Sequence, residues 1–415
     1  MSPTTGNQPR VSIVIVAARN AERLLSCLER VVLEAPDEVA LEIVVVLNAA
    51  EPGMEEALRS AFEHVQVVSS DVPLGFAGGV NLGASHTRGE LLHVLHDDTE
   101  VEPGWLDRLI AVLEDRPEAG AVGSLVLGPD GSVQSAGAVL WRDGRTEAIA
   151  PRGREEQRSD AYPVDYCASA SLLVRRDAWE AVGGLDERFH PAYYVDVDLA
   201  MALRSGGYAT LCEPRSRVRH ERGGSSRDAF RSFVSERNRA TFVAKWAHDL
   251  THQAPYADGA EARSRAVEAT AARARAVVAA RRPPTGGSID RPPPDPETAA
   301  DRLRREREQL LREIAVKDAY VAELERIAAT ERTRRADELA DAAETRRRLE
   351  ADGAIAQQAL VEAHAELWFL RDRVRTLNAI EAGGWWRLRS RLLGLRTAGG
   401  RLRRLIRRAG TSRTG

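Results

Sequence analysis

Two short acidic stretches, each closing an apolar run, hold the residues of this chain best suited to chemistry: LLHVLHDDT at residues 91–99 and YYVDVDL at residues 193–199. Adjacent carboxylates at the end of a buried strand point into the crevice at the carboxyl edge of a parallel sheet, where open α/β folds bind ligands. Asp97 and Asp98 are therefore candidates to hold Mg²⁺ or Mn²⁺, an ion that keeps its remaining positions for water and nucleotide phosphates. Asp196 and Asp198 then supply a candidate acid or base. Taken singly, each group also has a plainer reading: a strand-to-helix turn for Asp97, Asp98 and Thr99, and a helix cap for Asp196.

The elements that must carry these carboxylates are legible around them. From residue 11 to about residue 219, short β-branched runs alternate with helical patterns, the signature of βαβ units and an α/β fold with a mainly parallel twisted sheet. VSIVIVAA reads as the first strand, and Leu24, Leu28, Val31 and Val32 follow at helical spacing. EIVVVL, ending before Asn48, reads as a second buried strand, and residues 65–69 as a third. The glycine-rich GFAGGVNLG opens the helix before LLHVLHDD, so its backbone is open to a phosphate or nucleoside, although it lacks the GxGxxG spacing of a dinucleotide site. Pro103 marks a helix start, with Trp105, Leu106, Leu109, Ile110 and Leu113 as its apolar face. Residues 121–165 read as a hairpin excursion with turns at Pro129-Asp130-Gly131 and Arg142-Asp143-Gly144. A further strand, a helix at 176–182 stopped by Gly183-Gly184, and a helix at 196–205 complete the pattern.

Length and charge bound the rest. A chain of 415 residues holds one globular unit with a sizeable core plus appended parts. Residues 382–415 contain ten Arg and no Lys, Asp or Glu, so the first 381 residues carry −13 against a net charge of −3. Cys27, Cys167 and Cys212 are odd in number and far apart, which supports neither a disulfide framework nor a CxxC site and fits a reducing cytoplasm. The N-terminus has no apolar signal region, and no apolar run is long enough to span a bilayer.

After about residue 250 the character changes. Residues 261–282 are Ala/Arg-rich and helical in pattern, and residues 283–296 (PPTGGSIDRPPPDP) form a linker, so the sheet domain is expected to end near residue 250. Apolar residues then recur at heptad spacing in two blocks, Leu303 to Ala328 and Leu360 to Leu377, which predicts a coiled coil within residues 301–378 and a homodimer. From residue 379 onward, Trp385, Leu388, Leu392 and Leu395 share one helical stripe among arginines, the pattern of an interfacial helix on the cytoplasmic face of a membrane. No stacking aromatics or nucleic-acid-binding fold accompany the arginines, so nucleic acid is not an expected partner.

In order along residues 11 to about 245, VSIVIVAARN, EIVVVLN, PLGFAGGVNLGASHTRGE, LLHVLHDDTEVEPGWL and SLLVRRDAWEAVGGLDERFHPAYYVDVDLAMALRSGGY resemble the motifs of family 2 glycosyltransferases of the GT-A fold, in particular rhamnosyltransferase-like bacterial polysaccharide enzymes. The resemblance implies transfer of a sugar from a nucleoside diphosphate donor, with inversion, to a glycan or lipid-linked acceptor. It places Asp98, Asp97 and His220 at the metal, and Ala17, Arg19, Asn48, Gly78, Asn81, Arg88 and Asp97 around the nucleotide. Asp196 becomes the base that takes the acceptor proton, with Tyr194, Asp186 and Asp198 lining the acceptor side. Arg217, Arg219 and Arg222 stand ready for phosphate charge. Departures from the pattern are Leu47 where an acid commonly precedes the Asn, Ala17 and Ala18 at the first turn, His96 at the head of the metal motif, and Val195 before the base. Leu47 and Val195 keep a rival open, a non-catalytic assembly protein with a decayed transferase domain, and a nucleotidyltransferase is the second rival.

Overall fold

The computed structural model describes residues 8–149, 159–221, 228–280, 299–338 and 343–381. These form two compact units, divided between Ser288 and Ile289. The first unit runs β1 (Val11–Ala17), α1 (Ala21–Glu34), β2 (Leu41–Asn48), α2 (Met54–Ala61), β3 (Gln66–Ser70), α3 (Gly75–Ser85), β4 (Leu91–His96), β5 (Thr99–Val101), α4 (Trp105–Asp115) and β6 (Ala119–Leu127). It continues through β7 (Val133–Ser135), β8 (Ala138–Leu140), β9 (Thr146–Ala148), β10 (Tyr162–Val164), β11 (Ser171–Arg175), α5 (Arg176–Val182), α6 (Val195–Ser205), β12 (Ala209–His220), α7 (Asp228–Lys245) and α8 (Ala260–Ala280).

The principal sheet has the order β10-β12-β6-β11-β4-β1-β2-β3. Its β4-β1-β2-β3 side is wholly parallel, as the βαβ pattern requires. Beyond β4 the sheet is mixed, because β11 runs antiparallel to both β4 and β6 while β12 returns parallel to β6. The sheet is thus less uniformly parallel than alternation alone predicted: the excursion after β6, with β8 and β9 paired as a separate hairpin, lets the chain re-enter without a helical crossover.

β1 is buried on both faces, and a continuous β-branched run suits such a strand. One core face joins it to Leu24, Leu28, Trp105 and Leu106, and the other gathers Trp179, Phe189, Leu199 and Phe242. The glycine-rich segment is explained on this second face. A Cβ at Gly79 would come within 2.7 Å of Val16, and one at Gly83 would collide with Val14, so these glycines let α3 lie close on the strands.

The Ala/Arg-rich helix α8, expected to lie outside a domain ending near residue 250, packs as part of this unit. Ala266 joins Val139 and Trp141 in a small core. Asp165, only 2% exposed, accepts from Thr270 Oγ1 at 2.9 Å, Arg273 Nη2 at 2.9 Å, Arg204 Nη2 at 2.7 Å and the Leu140 amide at 2.9 Å. A buried carboxylate held by two guanidinium groups ties α8 to the sheet through residues that composition set apart.

In the second unit, α9 (Ala299–Glu338) and α10 (Ala343–Glu381) lie antiparallel. Val321 packs with Ala363 and Leu367, flanked by Ile314 and Leu360, and Lys317–Glu366 at 2.6 Å and Glu306–Arg373 at 2.9 Å run along the seam. The two heptad blocks therefore cover each other within one chain, which buries these residues without a second copy. The linker at 283–296, Arg222 and the basic segment at 382–415 lie outside the described residues. Among the described residues, no helix is long and apolar enough to cross a membrane.

Candidate active site

Strand pairing assembles the acidic cluster. β5 follows β4 after a tight turn at Asp97 and Asp98, and its antiparallel pairing with β12 sets Thr99 opposite His220. The Glu221 amide donates to the Asp98 carbonyl at 3.2 Å, which holds the two turns together. As a result His220 Nε2 stands 3.2 Å and His96 Nδ1 3.8 Å from Asp98 Oδ1, and one ligand atom from each residue lies within 4.8 Å of the others.

The hydrogen bonds around His220 explain what this cluster is suited to hold. Gln134 Nε2 donates to the His220 carbonyl at 2.7 Å, which orients the amide so that Gln134 Oε1 accepts from His220 Nδ1 at 3.3 Å. In the neutral ring, Nε2 then carries a lone pair, and it faces a carboxylate oxygen. Asp98 Oδ1 is buried and makes no aligned hydrogen bond despite the short approach of His220. Two lone-pair donors facing each other in a half-buried turn fit a shared cation, and the Gln134 contact is the kind of outer partner that fixes a histidine ligand. His96, Asp98 and His220 thus fit a divalent ion.

Electrostatics separate the two neighbouring acids. Burial acts to raise the Asp98 carboxyl, but when the two rings are protonated a bond from His220 and the charges of His96 and His220 outweigh it and leave Asp98 below the usual range. Asp97 is pushed up to about 7, first by burial and then by the Asp98 charge, with Arg23 opposing. Burial likewise lowers His96 to about 4.

The second acidic stretch meets the first through β11. The pairing of Leu95 with Ser171 continues as a bond from the His96 amide to the Ala170 carbonyl at 3.2 Å, which brings Ser169 Oγ to 3.3 Å from His96 Nε2. The Ser169 backbone in turn lies close enough to the Asp196 carboxyl to lower it. A chain of close contacts therefore runs from Asp98 through His96 and Ser169 to Asp196. The Asp196 carboxyl borders Leu172, Leu199, Leu203 and Cys167 at the head of α6, and burial pushes it up to about 6 against the bonds from Val197, its own amide and Ser169.

The remaining predicted residues divide. Ala17, Arg19 and Asn48 lie at or just beyond the ends of β1 and β2, the same sheet edge as Asp98. Asn48 uses its amide locally, accepting from the Leu74 amide at 2.6 Å and donating to the Gly75 carbonyl at 3.2 Å, so it fixes the start of α3. Gly78 is buried within α3. Asn81 exchanges bonds with the Leu185 backbone and reaches Glu187, which makes it a brace between α3 and the 185–187 turn rather than a nucleotide contact. Arg88 is misplaced by the sequence reading: it is exposed before β4, its amide bonded to Glu42 at the start of β2, and so sits at the sheet edge opposite Asp98. Asp198 is 3% exposed with its oxygens on Lys245 Nζ at 2.7 Å and Trp246 Nε1 at 2.7 Å, and Asp186 is held well below the carboxylate range by Arg188 and Lys245 in spite of its burial. Tyr194 donates its hydroxyl to the Gly144 carbonyl at 2.9 Å. Asp198 and Tyr194, expected at the acceptor, are instead spent on internal bonds. Arg217 and Arg219 both pair with Glu102.

Residues 12–183 match the model of glycosyl transferase family 2. The N-terminal domain belongs to that family. The order of the sheet and this match together give the GT-A class expected from the motifs. The glycosyltransferase domain is similar to the O-antigen biosynthesis protein RfbC of Myxococcus xanthus, 32% identical over 232 residues, which cover 53% of this chain and 18% of that protein. It is also similar to an N-acetylglucosaminyl-diphospho-decaprenol L-rhamnosyltransferase of Mycobacterium tuberculosis, 26% identical over 57% of this chain and 82% of that one. A solved structure of GalNAc-T7 with UDP, GalNAc and Mn²⁺ superposes with a TM-score of 0.48 at 18% identity, covering 59% of this chain and 49% of the other. The chain therefore spans under a fifth of the first relative and most of the second.

Sequence reasoning treated His96 as a departure from the motif, whereas it stands beside Asp98 and touches Ser169. Its signal was a histidine two residues before an acid at a strand end. Ser169 and Gln134 carried no local signal, since only pairing across the sheet brings them to the site.

Proposed function

We propose that this chain is an inverting glycosyltransferase that moves a sugar from a nucleoside diphosphate donor to a hydroxyl of a cell-surface polysaccharide or lipid-linked glycan. The observation that carries the reading is the contact chain that joins the Asp98 donor set, through His96 and Ser169, to Asp196. A divalent cation held by Asp98, His220 and His96 would supply positive charge to the diphosphate as it leaves. Asp196 takes the proton from the acceptor hydroxyl while that oxygen bonds to the anomeric carbon. The bond from that carbon to the diphosphate breaks with its electron pair, and attack from the opposite face inverts the centre. A base held near 6 is ionised at neutral pH yet retains proton affinity, which suits the role.

The name of the mycobacterial relative, a rhamnosyltransferase acting on a diphospho-decaprenol, supports a lipid-linked acceptor. With such an acceptor, the arginine-rich residues 382–415 would rest on the anionic cytoplasmic face of the membrane. Equal liposome flotation with and without those residues would remove this part of the reading.

The decisive experiment is a hydrolysis and transfer assay across nucleotide sugars with Asp98→Asn and Asp196→Asn. Each folded variant should lose about 100-fold or more of its activity, with Mn²⁺ and donor binding lost in the first and kept in the second. Full activity in either variant refutes the assignment.

A further inference from the structure

The base does not hold itself in place. Tyr193 and Tyr194, the two residues before the turn into α6, both adopt left-handed backbone with φ of 72° and 65°. Side chains other than glycine are strained there, and two in succession persist only where the surroundings over-determine them. Those surroundings come from α7, which lies beyond the 12–183 family match. Asn238, with no exposed surface, directs its Nδ2 at the carbonyls of Phe189, Ala192 and Tyr193 at 3.1, 2.8 and 3.2 Å. Arg237 Nη1 donates to the His190 carbonyl at 3.2 Å and to Asn238 Oδ1 at 2.8 Å, which fixes the orientation of the amide. The Pro191 carbonyl accepts from the Phe76 amide at 2.7 Å. Every carbonyl from Phe189 to Tyr193 is thereby held, four of them by adjacent side chains of α7. On the far side of the base, Lys245 at the end of the same helix, with Trp246, grips Asp198.

We infer that Asn238 is a positioning residue for the transfer reaction: by clamping the strained 189–194 loop it sets the place and the dry surroundings of Asp196. The inference rests on Asp196 being the base. It assigns to Asn238 no contact with substrate.

Asn238→Asp tests it, because the variant keeps the shape but offers no N–H to three carbonyls. The expected result is a fall in kcat of about 100-fold with donor KM within about twofold, the loss typical of a misplaced group. The acid limb of the pH profile should move toward the ordinary carboxylate range as Asp196 hydrates, and hydrogen exchange of the Asp198 amide, which is bonded to the Tyr194 carbonyl, should quicken at least about tenfold. Val234→Ala, a buried change elsewhere on α7, should lower Tm and leave kcat and the acid limb in place. A folded Asn238→Asp with kcat within about threefold of wild type overturns the inference. So does an equal loss of kcat in Val234→Ala, which would mean that only helix stability matters. Should Asn238→Asp not fold, the wild type decides: an Asp198 amide, bonded to the Tyr194 carbonyl, that exchanges only by global unfolding, like those of β4, supports the clamp, and exchange by local opening overturns it. Retained transfer in Asp196→Asn would instead sink the base assignment, while exchange of the Asp198 amide in that protein still reads the clamp.

Discussion

Lowering the pH from 7 to 5 should reduce kcat/KM about tenfold, because the base is an acid held out of water. Asp196 borders Leu172, Leu199 and Leu203, and burial lifts it from 3.8 to about 6. At pH 5 a group with that pKa is ionised in roughly one molecule in ten, whereas at 3.8 the loss would be only about 6%. The assay is kcat/KM for donor and acceptor between pH 4.5 and 8 at saturating metal. Asp97, lifted to about 7 by burial and by Asp98, would produce a similar limb, so the profile should be repeated in Asp97→Asn, where the limb near 6 should remain. The same rise has a stability consequence of definite sign. A carboxyl raised in the folded state is disfavoured when ionised, so stability falls as pH rises from 3.8 through about 6. The cost at pH 7 is at most about 3 kcal/mol, and less because the residue is only partly buried. Asp196→Asn should therefore be inactive and more stable than wild type at pH 7, with the advantage gone below pH ~4. An acid limb below pH ~5 in Asp97→Asn, or no gain in stability in Asp196→Asn, would refute the reasoning.

Three further outcomes follow from named contacts. Gln134→Leu, which touches no ligand atom but frees the His220 ring, should weaken Mn²⁺ binding by about 10- to 100-fold in an EPR titration. Asp165→Ala leaves Arg204 and Arg273 without their buried partner and should cost about 3–5 kcal/mol in urea unfolding, with α8 gaining protease sensitivity first. His93 is fully buried against Trp105, and burial lowers it to about 3. The unfolded chain takes up that proton below about 6.5, so His93 should cost roughly 2 kcal/mol of stability between pH 7 and pH 5, a slope that His93→Phe removes.

How far the sequence reached is best seen residue by residue. Periodicity placed α1, α5 and the strands β1 to β4, because local spacing and burial on one face are the same fact seen twice. The turns at Asp130-Gly131 and Asp143-Gly144 were legible for a similar reason: their backbone geometry demands those residue types, and both glycines have φ near 80°. The carboxylates of the site were also legible, since a strand-end acid pair is a local pattern. What a given carboxylate does was not. Asp196 and Asp198 are two residues apart with the same chemistry, yet Asp198 is spent on Lys245 and Trp246 while Asp196 accepts from the Val197 amide and has no basic partner among the described residues. Arg88 looked like a nucleotide contact until the parallel sheet put it at the wrong edge. α8 looked like an appendage until Asp165, more than a hundred residues earlier, was seen to hold it. By itself the sequence determined the order of elements and which short segments carry reactive groups, because propensity and alternation act over a few residues. Tertiary structure alone decided which groups meet, which are already bonded and which are stripped of water, because hydrogen-bond partners and burial are set by strands and helices that arrive from distant parts of the chain.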